Sequence, residues 1–260
     1  MKIIFSGTGT SVGVPMIGCR CECCLSDDPR DKRLRTSVII ENTDGQILVI
    51  DAGPDFRMQM LTHHIDRLDA LVMTHSHADH IAGIDDVRPF NFRQEKPIPV
   101  YGNPSTLDAI QTRFPYIWNP LQEGGGLPQL KLHYPQEEST DMSFTAAGFA
   151  IQPLPAMHGK LPVWGYRIGN FVYLTDVSDI PEETLTKMHG LDLLVLGAPM
   201  YYEHSTHIHI DKAVAISQSL SPPPKRTLLT HLSHRVIHEN VKAYLPAGIE
   251  PAYDGMICEI

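Results

Sequence analysis

Residues 74–80 read THSHADH, directly after the apolar run DALVM at 69–73. No other stretch restricts the fold as strongly. Three histidines and an aspartate lie within seven positions, so whatever the chain becomes must bring imidazoles and a carboxylate together at the end of an apolar strand. His75 and His77 are two apart, and in an extended or tightly looped segment they point the same way and can hold one cation. Asp79 and His80 come as the chain turns toward a helix and can face a second cation on the other side.

Ligands for two cations must also come from elsewhere, and the pattern of the remaining chain says where to look. Short apolar or β-branched runs recur at 2–6, 36–41, 46–51, 70–74, 98–102, 149–155, 170–176, 191–197 and 226–230, with helical patterns at 104–114, 181–189 and 211–220. Strands that are nearly continuous apolar runs, alternating with helices, predict sheets covered by helices, an α/β layered architecture. The segments EGGGLPQ at 123–129 and Pro222–Pro224 read as surface loops rather than boundaries, so residues 1–260 are expected to form a single domain. Three residues stand at strand ends, where a scaffold presents functional side chains: His158 after FAIQPLP, Asp176 ending FVYLTD, and His231 ending RTLLT.

The order HxHxDH, a lone His, an Asp at a strand end and a final His resembles the metallo-β-lactamase superfamily, from SGTGTSVGVP near the N-terminus to YDGMICEI at the C-terminus. The resemblance implies an αββα four-layer sandwich with a dinuclear metal site on one edge. It assigns His75, His77 and His158 to one metal, Asp79, His80 and His231 to the other, and Asp176 to the bridge between them. It also places Asp51, in VIDAG, in support of the ligands. The expected cofactors are two catalytic divalent ions, zinc or manganese.

The stretch GCRCECC holds Cys19, Cys21, Cys23 and Cys24, while Cys258 stands alone. Cysteines this close together close no useful disulfide loop, and thiolates bind zinc strongly, so a structural zinc is the expectation. Four cysteines alone could supply it, although adjacent Cys23 and Cys24 are awkward to aim at one ion. CxCxxC combined with THLSH is similar to the PhnP-like phosphodiesterase branch, related to PqqB. That resemblance implies Cys19, Cys21, Cys24 and His234 as the zinc ligands, with Cys23 competing for the third place. It also implies a proton-donating histidine just before a helix, matched best by His209 in EHSTHIHID. Asp79 and His209 are thus the expected catalytic residues.

A formal net charge of −9 argues against a broad nucleic-acid surface, which would need a basic field; the dense cations Arg30, Lys32, Arg33 and Arg35 read as a solvated loop. No apolar stretch is long enough to span a bilayer and no signal-peptide pattern opens the chain, so a cytoplasmic location is expected. The expected substrate is a small phosphodiester, with a cyclic ribose diester as its example. A tRNA 3′-processing nuclease, a glyoxalase-type thioester hydrolase and a PqqB-like cofactor-pathway protein are the alternatives. A homodimer is left open as an expectation.

Overall fold

The structure, a computed structural model, describes residues 1–121, 125–135 and 141–260. Its strands are β1 (Lys2–Gly7), β2 (Ser37–Glu41), β3 (Ile47–Ile50), β4 (Ala70–Met73), β5 (Ile98–Gly102), β6 (Leu130–His133), β7 (Phe144–Ala146), β8 (Phe149–His158), β9 (Leu161–Ile168), β10 (Phe171–Leu174), β11 (Leu193–Gly197), β12 (Arg226–Thr230), β13 (Ile249–Pro251) and β14 (Ile257–Glu259). Among the described residues they form two sheets, ordered β14-β1-β2-β3-β4-β5-β6 and β13-β12-β11-β10-β9-β8-β7. The two are built alike. Each begins with antiparallel neighbours and becomes parallel, from β3 to β6 in the first and from β10 to β13 in the second.

The continuous apolar strands follow from burial on both faces. In β3, Leu48 and Ile50 enter the core between the sheets, whereas Ile47 and Val49 face the outer layer. In β10, Phe171 and Tyr173 go inward and Val172 and Leu174 outward. Side chains alternate along a strand, so both parities must be apolar when both faces are covered.

The covering helices are α1 (Glu22–Leu25), α2 (Phe56–Thr62), α3 (Ala78–Ile81), α4 (Arg88–Gln94), α5 (Pro104–Arg113), α6 (Glu182–Leu185), α7 (Ile210–Ser219) and α8 (His238–Tyr244). Phe56, Met60, Phe90, Leu107 and Ile110 cover the outside of the first sheet; Ile210, Ala213 and Val241 cover the second. The result is the expected αββα sandwich.

The helix expected at 181–189 shortens to α6, because Lys187 and Met188 bond to carbonyls three residues back and turn the fully buried Met188 into the core. Strands β7, β9, β13 and β14 carried weak sequence signals: β9 contains Pro162 and Gly165, and the others are three residues long. β8 extends to His158 although it holds Pro153 and Pro155. It can, because β7 pairs only with Phe149–Ile151 and leaves the prolines at an open edge. Of the expected loop 123–129, residues 123–124 lie outside the described residues and 125–129 carry no regular structure. No described helix is long and apolar enough to cross a membrane.

Candidate metal centre

Four loops at one edge of the two sheets deliver the chemistry. After β4, His75 remains buried, while exposed His77 is the extended residue that starts α3 and puts Asp79 and His80 on its first turn. The turn after β3 lies directly beneath: Ala52 N–H donates to the His80 carbonyl at 2.8 Å, and a Cβ on Gly53 would stand 2.0 Å from the Asp79 carbonyl oxygen. Only glycine allows that approach. The β8–β9 hairpin brings His158, and the ends of β10 and β12 bring Asp176 and His231. Asp51, Asp176 and His231 each hold left-handed backbone, at φ 64, 55 and 58°. For a residue with a Cβ this costs on the order of 1–3 kcal/mol, a strain that accumulates where side chains must be aimed.

The hydrogen bonds fix how the rings face. Thr74 Oγ1 donates to Asp51 Oδ2 at 2.7 Å and so accepts from His75 Nδ1 at 3.1 Å. Thr36 Oγ1 donates to the Gly9 carbonyl at 2.8 Å and accepts from His231 Nδ1 at 3.3 Å. His158 Nδ1 donates to the Thr206 carbonyl at 2.6 Å. In each ring Nδ1 carries the hydrogen, which leaves Nε2 a lone pair. His80 Nδ1 lies 2.7 Å from Asp51 Oδ2, and its Nε2 points inward, 3.2 Å from Asp79 Oδ2 and 3.4 Å from Asp176 Oδ2. His75 Nε2 and His80 Nε2 are buried without a hydrogen-bond partner among the described residues. Buried polar atoms are costly to leave unpaired, so these atoms fit a cation between them.

The electrostatics agree. Burial holds His75, His77 and His231 below the usual imidazole range, in the neutral form a metal needs. Burial works against a charged His80 too, yet Asp51 and Asp176 outweigh it and push its pKa well above that range. Burial opposes ionisation of Asp176, but His231 and His80 hold its carboxyl well below the usual value. Asp79 is likewise lowered against burial, chiefly by His80. The pocket asks for positive charge beside neutral imidazoles.

The residues named from sequence converge here. One nitrogen each of His75, His77 and His158 lies within 4.8 Å of the others, and so do one nitrogen each of His75 and His80 and a carboxylate oxygen of Asp176. Asp176 Oδ1 is 3.1 Å from His231 Nε2, so this carboxylate stands between rings delivered by both sheets. Asp51 accepts from Thr74 and His80 and orients both.

His207 also belongs to the group: His158, Asp176 and His207 form a further set within 4.8 Å, and its ring stacks on His231 at 5.2 Å. His209, expected to be the proton donor, is in none of these donor sets among the described residues. It is the residue preceding α7, and its carbonyl accepts from Ala213 N–H. Ile208 N–H donates to the Val177 carbonyl at 2.7 Å and holds His207 alongside Asp176.

A second cluster lies across the loop after β12. Cys19, Cys21, Cys24 and His234 place their donor atoms within 4.8 Å of one another, with His234 Nδ1 3.4 Å from Cys19 Sγ and 3.3 Å from Cys21 Sγ. Cys23 turns away; its Sγ donates to the Val236 carbonyl, and burial raises its pKa to about 11. The backbone amide of Cys24 and the His234 side chain lower Cys21 to about 6, toward the thiolate that zinc takes. The four donors fit a closed tetrahedral site. Arg33 is buried rather than solvated, bonded to Asp31 at 2.9 Å and to the Ser233 carbonyl at 3.1 Å, so it braces this loop.

The family model for the beta-lactamase superfamily domain matches residues 46–232. The chain is 40% identical, over 98% of its length, to an octanoyltransferase of Porphyromonas gingivalis, and it spans 51% of the length of that relative. A solved structure described as a new diphosphatase from the PhnP family is 40% identical, with a TM-score of 0.90 over 100% of this chain and 96% of that one. Zinc-bound PqqB from Methylobacterium extorquens superposes with a TM-score of 0.79 over the full length of both chains, at 16% identity, a likeness of fold alone.

Proposed function

Because the chain belongs to the metallo-β-lactamase superfamily, we propose that it is a metal-dependent hydrolase of small phosphodiesters. The observation that carries this reading is the set of four imidazoles, of His75, His80, His158 and His231, whose Nδ1 atoms are tied down, with the Nε2 atoms of His80 and His231 turned to Asp176. His75, His77 and His158 would hold one divalent ion and Asp79, His80 and His231 another, with Asp176 shared; Cys19, Cys21, Cys24 and His234 would hold a structural zinc. The catalytic pair would supply Lewis acidity at the phosphoryl oxygens and acidify water near neutral pH.

The chain's own residues do the rest. Asp51, Thr36 and the Thr206 carbonyl lock ring orientation. His207 lies beside Asp176 and outside the two ligand triads; burial pushes it down to about 3, so it would hand a proton to a departing oxygen only where the negative charge of a bound substrate raises it. The PhnP-family diphosphatase relative supports phosphorus chemistry over thioester cleavage, and the net charge of −9 favours a small substrate over tRNA.

Steady-state kinetics on zinc- or manganese-loaded protein test the reading. Hydrolysis of bis(p-nitrophenyl) phosphate should be measurable and p-nitrophenyl phosphate much poorer. A higher kcat/KM for a thioester, a lactam or precursor tRNA than for every small diester would overturn it.

A further inference from the structure

Of the three histidines in EHSTHIHID, His207 stands beside Asp176 and His209 precedes α7, which leaves His204 without a role. Its ring is exposed but not loose. Thr206 N–H donates to His204 Nδ1 at 3.3 Å, and Thr206 Oγ1 lies 3.1 Å from the same nitrogen. Thr206 is itself clasped to the metal centre: its carbonyl accepts from His158 Nδ1, and its Cγ2 lies 3.1 Å from where a Cβ on Gly159 would stand. These bonds fix the tautomer, and they fix it against metal binding. The rings of His75, His158 and His231 carry hydrogen on Nδ1 and keep a lone pair on Nε2. His204 is locked the other way, because an Nδ1 that accepts from a backbone N–H leaves the hydrogen of the neutral ring on Nε2. It belongs to none of the donor sets, and among the described residues its Nε2–H has no partner. Ring contacts set its place: His207 lies 4.6 Å from His158 and 5.2 Å from His231, and His204 lies 5.4 Å from His207. His204 is thus one ring farther from the centre than the half-buried His207, on its solvent side.

From this placement we infer that His204 is a specificity-determining contact: its Nε2–H donates to an oxygen of the leaving alcohol beyond the ester oxygen, so that diesters of polyols are preferred over diesters of simple alcohols. The inference rests on the proposed phosphodiesterase reading and deepens it by naming the leaving group. Ions that grip the phosphoryl oxygens meet the same group in every diester and cannot tell one alcohol from another. A fixed donor can. An alcohol that extends outward past His207 reaches His204 next, and a hydroxyl there gives the Nε2–H a partner that an alkyl group does not. Because Thr206 already holds the ring, little side-chain freedom is lost when the contact forms.

The test compares glycerol 1,2-cyclic phosphate with propane-1,2-diol cyclic phosphate, which share the cyclic ester and differ by a single hydroxyl. Metal-replete parent protein should prefer the glycerol ester in kcat/KM by roughly 5-fold. His204→Phe, which keeps a ring against His207 but no donor, should bring that ratio close to unity. His204→Gln, whose side-chain amide can set an N–H near the Nε2 position, should restore most of it. Taking the ratio within each variant cancels any change in metal content or folded fraction. No preference in the parent, a preference that survives in His204→Phe, or equal losses in His204→Phe and His204→Gln overturns the contact. If neither ester is hydrolysed, the phosphodiesterase reading fails by itself, and long-range proton–nitrogen NMR spectra of the zinc-loaded protein still decide the contact. The His204 ring should be the Nε2–H tautomer, and its Nε2 resonance should move further on addition of glycerol 1-phosphate than of propyl phosphate. An Nδ1–H tautomer, or equal shifts with the two compounds, overturns it.

Discussion

The imidazole–carboxylate centre and the thiol cluster share one loop, which carries His231 on one side and His234 on the other, yet they are built by opposite means. The first takes its donors from the ends of strands in both sheets, and His75, His80, His158, Asp176 and His231 are all buried. Its rings are held by Thr36, Asp51 and Thr74 whether or not an ion is present. The second takes three donors from the irregular stretch around α1 and one from the loop after β12; only Cys24 of the four is buried. Arg33 and Cys23 also join these segments, at the Ser233 and Val236 carbonyls, and an ion held by the four donors would add to those ties. One site is prepared for a metal by the fold. At the other, a metal would brace the fold.

The sharpest way to break that contrast is to remove its centre on one side. Asp176→Ala should lose metal from the imidazole site and reduce diester hydrolysis by ~10³-fold or more, because the carboxylate is shared by both triads. Thermal stability should fall little, since relief of the left-handed backbone at Asp176 is not available to alanine but a buried charge is removed. Elemental analysis and melting curves read both. A variant with parental metal content would show that Asp176 is not a shared ligand.

The thiol cluster should behave the other way. Cys19→Ser should lower total metal from three ions per chain to two and cost several kcal/mol in stability, roughly the scale of other structural staples, while a chelator strips the catalytic pair first. Unchanged metal content and melting temperature in Cys19→Ser would remove the structural-zinc assignment.

Beneath the shared loop lies a carboxyl that belongs to neither cluster. Asp254 accepts from Thr8 Oγ1 and Leu34 N–H, both at 2.7 Å, and Leu232 N–H donates to the Thr8 carbonyl at 2.8 Å, so this contact underlies His231. Burial raises its pKa from 3.8 to about 7, against the pull of its two donors. A carboxyl with a raised folded pKa holds its proton in the native state while the unfolded chain has lost it. Its contribution to stability is therefore complete below pH 3.8 and is lost as pH rises through about 7. Parent and Asp254→Asn should differ in the pH slope of their urea-unfolding free energy by roughly 3 kcal/mol in total over that window. Parallel slopes would mean that Asp254 is ionised throughout in the folded protein.

The same contrast explains what the sequence revealed. Residues fixed to a strand end were readable at once: THSHADH follows β4, Asp176 follows β10, and His231 follows β12 because those strands are apolar runs with abrupt polar ends. A layered α/β architecture was legible for the same reason, two apolar parities per strand, whereas the αββα sandwich followed from the family resemblance. Residues placed by loop-to-strand backbone bonds were not. No local pattern announces that Ile208 will dock on Val177, nor that Arg33 will be buried against Asp31, because those choices depend on segments far apart in the chain. Cys23 against Cys24 was open for a similar reason, and it is Val236, over 200 residues away, that takes the Cys23 thiol.

The smallest expected effect is also the most informative about proton transfer. His207 lies 3.8 Å from Asp176, and its ring is 4.6 Å from that of His158, whereas the described contacts of His209 are those of a residue capping a helix. A general acid should matter most when the departing oxygen is a poor leaving group. His207→Ala should therefore slow turnover of an alkyl diester by ~10²-fold, the low end of the usual range, and slow bis(p-nitrophenyl) phosphate less. His209→Ala should remain within ~2-fold of the parent on both esters if its role is only to start α7. The outcome turns on the leaving group as much as on the residue. Equal losses for alkyl and nitrophenyl diesters in His207→Ala, with reduced metal content, would make His207 a ligand instead, and a selective loss on alkyl diesters in His209→Ala would return the proton to the residue that the helix start first suggested.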